Sequence, residues 1–137
     1  MFAQVNIVAV VIAAVASMAI GAFWYSYAGF GKTWLKLIGK TEKDLEPQKK
    51  ELGKYYALTM VGALVLAYVL ALFIDLAGSY DPTSGAVTGF WAWLGFVVTT
   101  TLGDHLFAGR PQKLYFLNNG YHLISMMVMG AIIGQFS

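Results

Sequence analysis

Val61-Gly62-Ala63-Leu64-Val65-Leu66-Ala67-Tyr68-Val69-Leu70-Ala71-Leu72-Phe73-Ile74 runs without a charged side chain and without alternation of polar and apolar residues. A half-buried strand would alternate, so this stretch does not read as one. Followed outward, it extends from about Tyr55 to Ala77, the roughly 20 mostly apolar residues that a transmembrane helix needs. Three further stretches have the same character: about Val5 to Tyr27, with Ser17 in its middle, about Ala86 to Phe107, and about Tyr115 to Phe136. In lipid every backbone N–H and C=O must be satisfied within the protein, which leaves helices or a closed barrel. A barrel would show alternating segments of about ten residues, and neither Ile7–Ala16 nor Val61–Ile74 alternates. The expected fold class is therefore all-α, a four-transmembrane-helix bundle forming a single membrane domain over residues 1–137.

Composition supports hydrocarbon as the solvent. Of the 137 residues 58% are hydrophobic and 12% charged, with a mean hydropathy of +0.64. Soluble domains carry about 25% charged residues, and a chain this short cannot hide so much apolar surface from water. This composition argues against a soluble enzyme, a disordered tail and a nucleic-acid-binding module. The net charge of +2 is too small for a polyanionic partner. No cysteine is present, so there is no disulfide framework and no thiolate chemistry. Ala14-Val15-Ala16 resembles a signal-peptide cleavage site, but no basic region precedes it and the apolar run is long, so the segment reads as a retained span.

The basic residues fix an orientation. Lys32, Lys36, Lys40, Lys43, Lys49, Lys50 and Lys54 lie between the first two spans, and Arg110 and Lys113 between the last two. The remaining loop and both termini have none. The positive-inside rule puts both basic loops in the cytoplasm and both termini outside. Trp24, Tyr25, Tyr27, Tyr55, Tyr56, Trp91, Trp93 and Tyr115 cluster near the expected boundaries and read as the interfacial aromatic belt.

Within the first basic loop, Phe30, Trp34 and Ile38 recur every fourth residue with Leu37 alongside, while Lys32, Lys36 and Lys40 line another face. This pattern fits a short amphipathic surface helix over about 30–39, with Lys32, Trp34 and Lys36 at the lipid interface; a solvated linker is the plainer alternative. Gly39 is placed to end the helix by a left-handed cap. Thr41 and Asp44 have capping-box spacing, and Pro47 suits the first turn of a new helix that runs on into the second span.

Membrane helices associate through close contact across small residues. The first span offers Ala9, Ala13, Ser17 and Gly21, and the second Ala63, Ala67 and Ala71. The third offers Gly85 and Gly89, then Gly95, Thr99 and Gly103, and the fourth Gly130 and Gly134. Stripes left uncovered within one bundle would face a second copy or another membrane protein.

Ionisable groups inside a membrane are costly and are functional candidates for that reason. A tight turn through Gly109-Arg110-Pro111 makes the last two spans a hairpin, with Asp104 near the level of Asn118 and Thr100 near that of His122. One polar site open to the cytoplasm could gather Asp104, Thr100 or Thr101, Asn118 and His122. It is read either as a binding or proton-handling site or as hydrogen bonding that locks the hairpin. His105, His122 and Asp104 lack the usual spacing of zinc ligands, so no metal and no cofactor are expected. Gly31-Lys32-Thr33 lacks the leading glycine and the strand of a phosphate loop, and no catalytic constellation is present.

The stretches Gly21-Ala22-Phe23-Trp24-Tyr25-Ser26, Phe30-Gly31-Lys32-Thr33-Trp34 and Leu106-Phe107-Ala108-Gly109-Arg110-Pro111, with Asn118-Asn119-Gly120-Tyr121-His122, resemble the bacterial domain of unknown function 1761 family along essentially the whole chain. Ala108 stands where that family often has an acidic residue, so no role for a carboxylate carries over there. The resemblance implies a small polytopic membrane protein and no particular activity. Two functions remain open: a structural or interaction protein, as a homo-oligomer or accessory subunit, and a small ion, proton or solute transporter or channel component using the polar site.

Overall fold

The computed structural model describes residues 5–41 and 43–136. Asn6 opens the first long helix, α1 (Ile7–Trp24), its side-chain oxygen accepting from the Ala9 N–H at 3.2 Å, as an N-cap should. A short helix, α2 (Gly31–Ile38), follows and ends at Gly39, whose φ of 73° lies in the left-handed region that glycine reaches without cost. Thr41 and Asp44 then cap each other: the Asp44 carboxylate accepts from the Thr41 N–H at 2.9 Å, and the Asp44 N–H donates to the Thr41 hydroxyl at 3.4 Å. A 3-10 turn (Lys43–Leu45) leads into α3 (Glu46–Lys49). The expectation that the Pro47 helix continues into the second span is not met, because α3 stops at Lys49 and α4 (Leu52–Ala77) starts anew. No described residue from Lys43 to Glu51 is buried, so no packing compensates the entropy of one continuous helix there.

The third span comprises α5 (Pro82–Ala92), a π-helical segment Trp93–Val98, and α6 (Thr99–Ala108). Asp81 caps its start, accepting from the Ser84 N–H at 2.8 Å, with Pro82 in the first turn. The last span is α7 (Gln112–Gln135). Four helical stretches, Ile7–Trp24, Leu52–Ala77, Pro82–Ala108 and Gln112–Gln135, are long and apolar enough to cross a membrane. Apolar side chains cover the outside: Leu76 is 79% and Phe107 97% exposed. The fold is an all-helical multi-pass membrane protein.

Helix α7 is the centre of the bundle, packed on α1, α5 and α4, with α4 also lying along α1. Helices α1 and α5 each run antiparallel to α7. At one end the Asn6 side-chain amide donates to the Phe136 carbonyl at 3.3 Å, and at the other the Trp24 indole N–H donates to the Leu117 carbonyl at 3.1 Å. Ala13, Ala67, Leu70, Ile74, Met126, Met129 and Ile133 fill the core between them.

The α5–α7 interface is a backbone seam. A methyl on Gly85 would collide with the Gly130 carbonyl, one on Gly130 with the Gly85 carbonyl, and one on Gly89 with the Met126 carbonyl. Only glycine admits this approach, the close packing that small residues allow in membrane bundles. Ala9, Ala13 and Ser17 of the first stripe are buried, and Gly21 lies under the Tyr121 ring. Ser17 and Ser125 share a hydrogen bond of 2.7 Å between their hydroxyls, and the Tyr121 hydroxyl donates to the Ser17 carbonyl at 3.0 Å. Gly134 packs against the Asp81 carbonyl and the Gly85 Cα, extending the seam. By contrast, a methyl on Gly95 or Gly103 would meet nothing within 4 Å, so this part of the third stripe is not used inside the bundle.

Candidate functional site

Where α1 ends and α7 begins, the bundle opens into a cavity of about 610 Å³. This end carries the two lysine- and arginine-bearing connections, residues 25–51 and 109–111. Twelve residues line the cavity, among them Asp104, Thr101, Asn118 and His122, four of the five candidates for it. Thr100 does not join them. It is exposed, and its hydroxyl donates to the Phe96 carbonyl and, at 3.3 Å, to that of Val97. The reason is the face of α6: Thr101, Asp104, His105 and Ala108 recur at i, i+3, i+4 and i+7 and line the cavity, while Thr100 lies off that stripe. Thr99 and Thr101 likewise donate to the carbonyls of Gly95 and Val97, at 2.6 and 2.7 Å.

Hydrogen bonds hold the walls. The Tyr25 hydroxyl donates to the Asn118 Oδ1 at 2.7 Å, tying the end of α1 to α7. Buried Asn119 extends its Nδ2 toward the Thr101 hydroxyl at 3.5 Å, while its carbonyl accepts from the Trp93 indole at 2.9 Å. The Tyr115 hydroxyl donates to the Val98 carbonyl at 2.5 Å, in the π-helical stretch. The Tyr25 ring also meets the Trp34 ring, with centroids 5.8 Å apart and planes at 73°. His105 packs on the Tyr115 ring at 4.8 Å, and its Nε2 is buried without a hydrogen-bond partner.

Tyr25, Trp34, His105, Arg110, Tyr115 and Asn119 complete most of the wall, and the polar pattern of the sequence did not select them for it. Four aromatic residues that read as outward anchors turn inward instead, since Trp24, Tyr25, Trp93 and Tyr115 all bond to another helix or another part of their hairpin. Trp93 also lies well inside its span, because that helix begins at Pro82. Trp34 is half-buried, while Lys32 and Lys36 are exposed on the other face of α2. The same Trp34, with Leu37, Ile38, Lys40, Leu45 and Arg110, bounds a second hollow of about 410 Å³. Helix α2 thus rests its apolar face against the start of α7.

Among the described residues no group of three or more histidine, aspartate or glutamate side chains is arranged to hold a metal ion. Outside the membrane spans, the Asp44 carboxyl is held below the ordinary carboxylate range by the Thr41 backbone N–H and then by the Thr41 hydroxyl. Asp81 is lowered in the same way by Ser84.

Four helices long and apolar enough to cross a membrane, with a polar hollow at the basic end, define a small polytopic membrane protein. The chain belongs to the family described as "Protein of unknown function (DUF1761)", whose family model matches residues 8–134. No curated protein and no solved structure matches the chain.

Proposed function

We propose that this chain is an integral membrane protein that binds a small polar molecule in the cavity between the ends of α1, α6 and α7. The observation that carries this reading is the convergence of Asp104, His105, Arg110, Asn118 and His122 on a single space of about 610 Å³. Binding sites for small molecules are typically about 300–1,000 Å³ with a few convergent polar groups. By the positive-inside rule, the two basic connections support a cavity on the cytoplasmic side, with both termini outside a cell membrane. Lys32 and Lys36 then face anionic headgroups while Trp34 closes the cavity wall.

An interaction protein, as a homo-oligomer or accessory subunit, is the reading that the small-residue stripes suggest. That reading is weakened because Ala9, Ala13, Ser17, Gly85, Gly89, Gly130 and Gly134 already serve the bundle's own interfaces. A transporter role is favoured by one observation, the π-helical segment within the third span beside the cavity, a feature frequent at functional sites. Liposome flux measured with the parent, Asp104→Asn and His122→Ala tests it; flux unchanged by both substitutions excludes this site from transport.

Binding itself is tested by thermal stability of the detergent-purified protein against small anions, cations, zwitterions and neutral polar molecules. The expected result is a concentration-dependent rise in Tm that Asn118→Leu removes. No rise with any class of molecule overturns the proposal.

A further inference from the structure

The charged groups of the cavity say more about its occupant. Arg110 and Asp104 line the same space, yet no ion pair joins them, and neither carries a hydrogen bond from its side chain to another described residue. Opposite charges that line one open cavity without pairing are each available to a charge on something else. The other open groups divide the same way. Tyr25 occupies the Asn118 carbonyl oxygen, so the amide NH2 remains to donate. The Trp34 indole N–H is a donor only. The His105 Nε2, buried in the wall without a partner, is a group whose desolvation is left uncompensated until something bonds to it. On the other side stand the Asp104 carboxylate and the ring faces of Tyr25, Trp34 and Tyr115, all suited to an ammonium group.

We infer that the cavity takes a zwitterion, its phosphate or carboxylate held by Arg110 with the Asn118 amide and its ammonium held by Asp104 and the aromatic wall. This deepens the binding proposal above and rests on it. Two sources supply such a molecule: a phosphoethanolamine-type lipid headgroup and a free amino acid or phosphoamine in the cytoplasm. The cavity is large enough for either.

The experiment uses the full chain in lipid-free maltoside micelles, with Tm read against glycerophosphoethanolamine, alanine, glycerol 3-phosphate, ethanolamine and glycerol. The zwitterions are expected to bind best. Asp104→Asn should weaken them about tenfold, the loss of one charge-assisted contact, while leaving glycerol 3-phosphate unchanged. Arg110→Gln should weaken the zwitterions and glycerol 3-phosphate but leave ethanolamine unchanged. Both side chains are exposed and make no hydrogen bond to other described residues, so neither change threatens the fold. In nanodiscs of phosphatidylglycerol with or without phosphatidylethanolamine, a Tm raised by the second lipid identifies the headgroup as the source. A Tm raised only by the soluble molecules identifies the free zwitterion. Single-charge or neutral probes binding as tightly as the zwitterions overturn this inference and leave the binding proposal standing. No response to any probe overturns both.

Discussion

The hydroxyl of Tyr25 donates to the side-chain oxygen of Asn118 across 2.7 Å, joining the last turn of the first span to the second turn of the fourth. Tyr25→Phe removes the donor with little change in shape. Hydrogen bonds between membrane helices average about 0.6 kcal/mol, so a stability loss of that order is expected by reversible unfolding in mixed micelles. The freed Asn118 amide can then turn, and ligand affinity should fall more than stability does. An unchanged affinity would separate this bond from binding.

The glycine seam makes a sharper stability prediction. Gly85→Ala and Gly130→Ala each force a methyl into a facing backbone carbonyl, which cannot rotate away as a flexible side chain can. Overpacking of this kind typically costs about 1–3 kcal/mol. Gly95→Ala meets nothing within 4 Å and should be neutral or stabilising by up to about 1 kcal/mol, through helix propensity alone. Unfolding measurements that rank Gly95→Ala with the other two would show that the seam is misplaced.

Ser17 and Ser125 are buried at mid-bundle, 2.7 Å apart. A double-mutant cycle with Ser17→Ala and Ser125→Ala should return a coupling of about 0.5–1.5 kcal/mol. Additive effects would mean that the two hydroxyls do not pair.

Asp81 supplies a pH dependence. Its carboxyl is held below the ordinary carboxylate range, first by the Ser84 backbone N–H and then by the Ser84 hydroxyl. A depressed folded-state pKa contributes stability that is fully present above the unfolded value and is lost as pH falls through the folded value. Acid should therefore loosen the start of the third span. Asp81→Asn keeps a capping oxygen and should remove this part of the acid dependence, measured as Tm against pH alongside the parent. Equal slopes for the two proteins would exclude Asp81 as the group responsible.

Much of the bundle was legible because hydrocarbon imposes so strict a rule on the backbone. The apolar runs around Ile7–Ala16 and Val61–Ile74 lie within α1 and α4, and Gly39 ends α2 in the conformation expected of it. The reciprocal Thr41–Asp44 pair is present as well. The beginnings of the later spans were read late, at Ala86 and Tyr115, because polar residues such as Thr83, Ser84 and Lys113 belong to helices that start at Pro82 and Gln112. Hairpin symmetry matched levels and left open which threonine faces the cavity; the α6 face that carries Asp104 and His105 belongs to Thr101 rather than Thr100. Tyr25 and Tyr115 were hidden by their own chemistry: an aromatic ring with a hydroxyl suits a headgroup layer and a cavity wall equally well. Proline and glycine around Arg110 suggested a turn, and only the approach of α2 brings that guanidinium into the same enclosure as Trp34.

The interlock of Gly85, Gly89 and Gly130 has a mechanical corollary. Carbonyls pressed against α-carbons leave no slack for sliding, so α5 and α7 behave as a fixed stator. Helix α6, which contains no buried residue, is the arm attached to that stator through the π-helical joint. Helix α6 meets α7 through side chains instead, by the Asn119–Thr101 and His105–Tyr115 contacts, which can give where a backbone seam cannot.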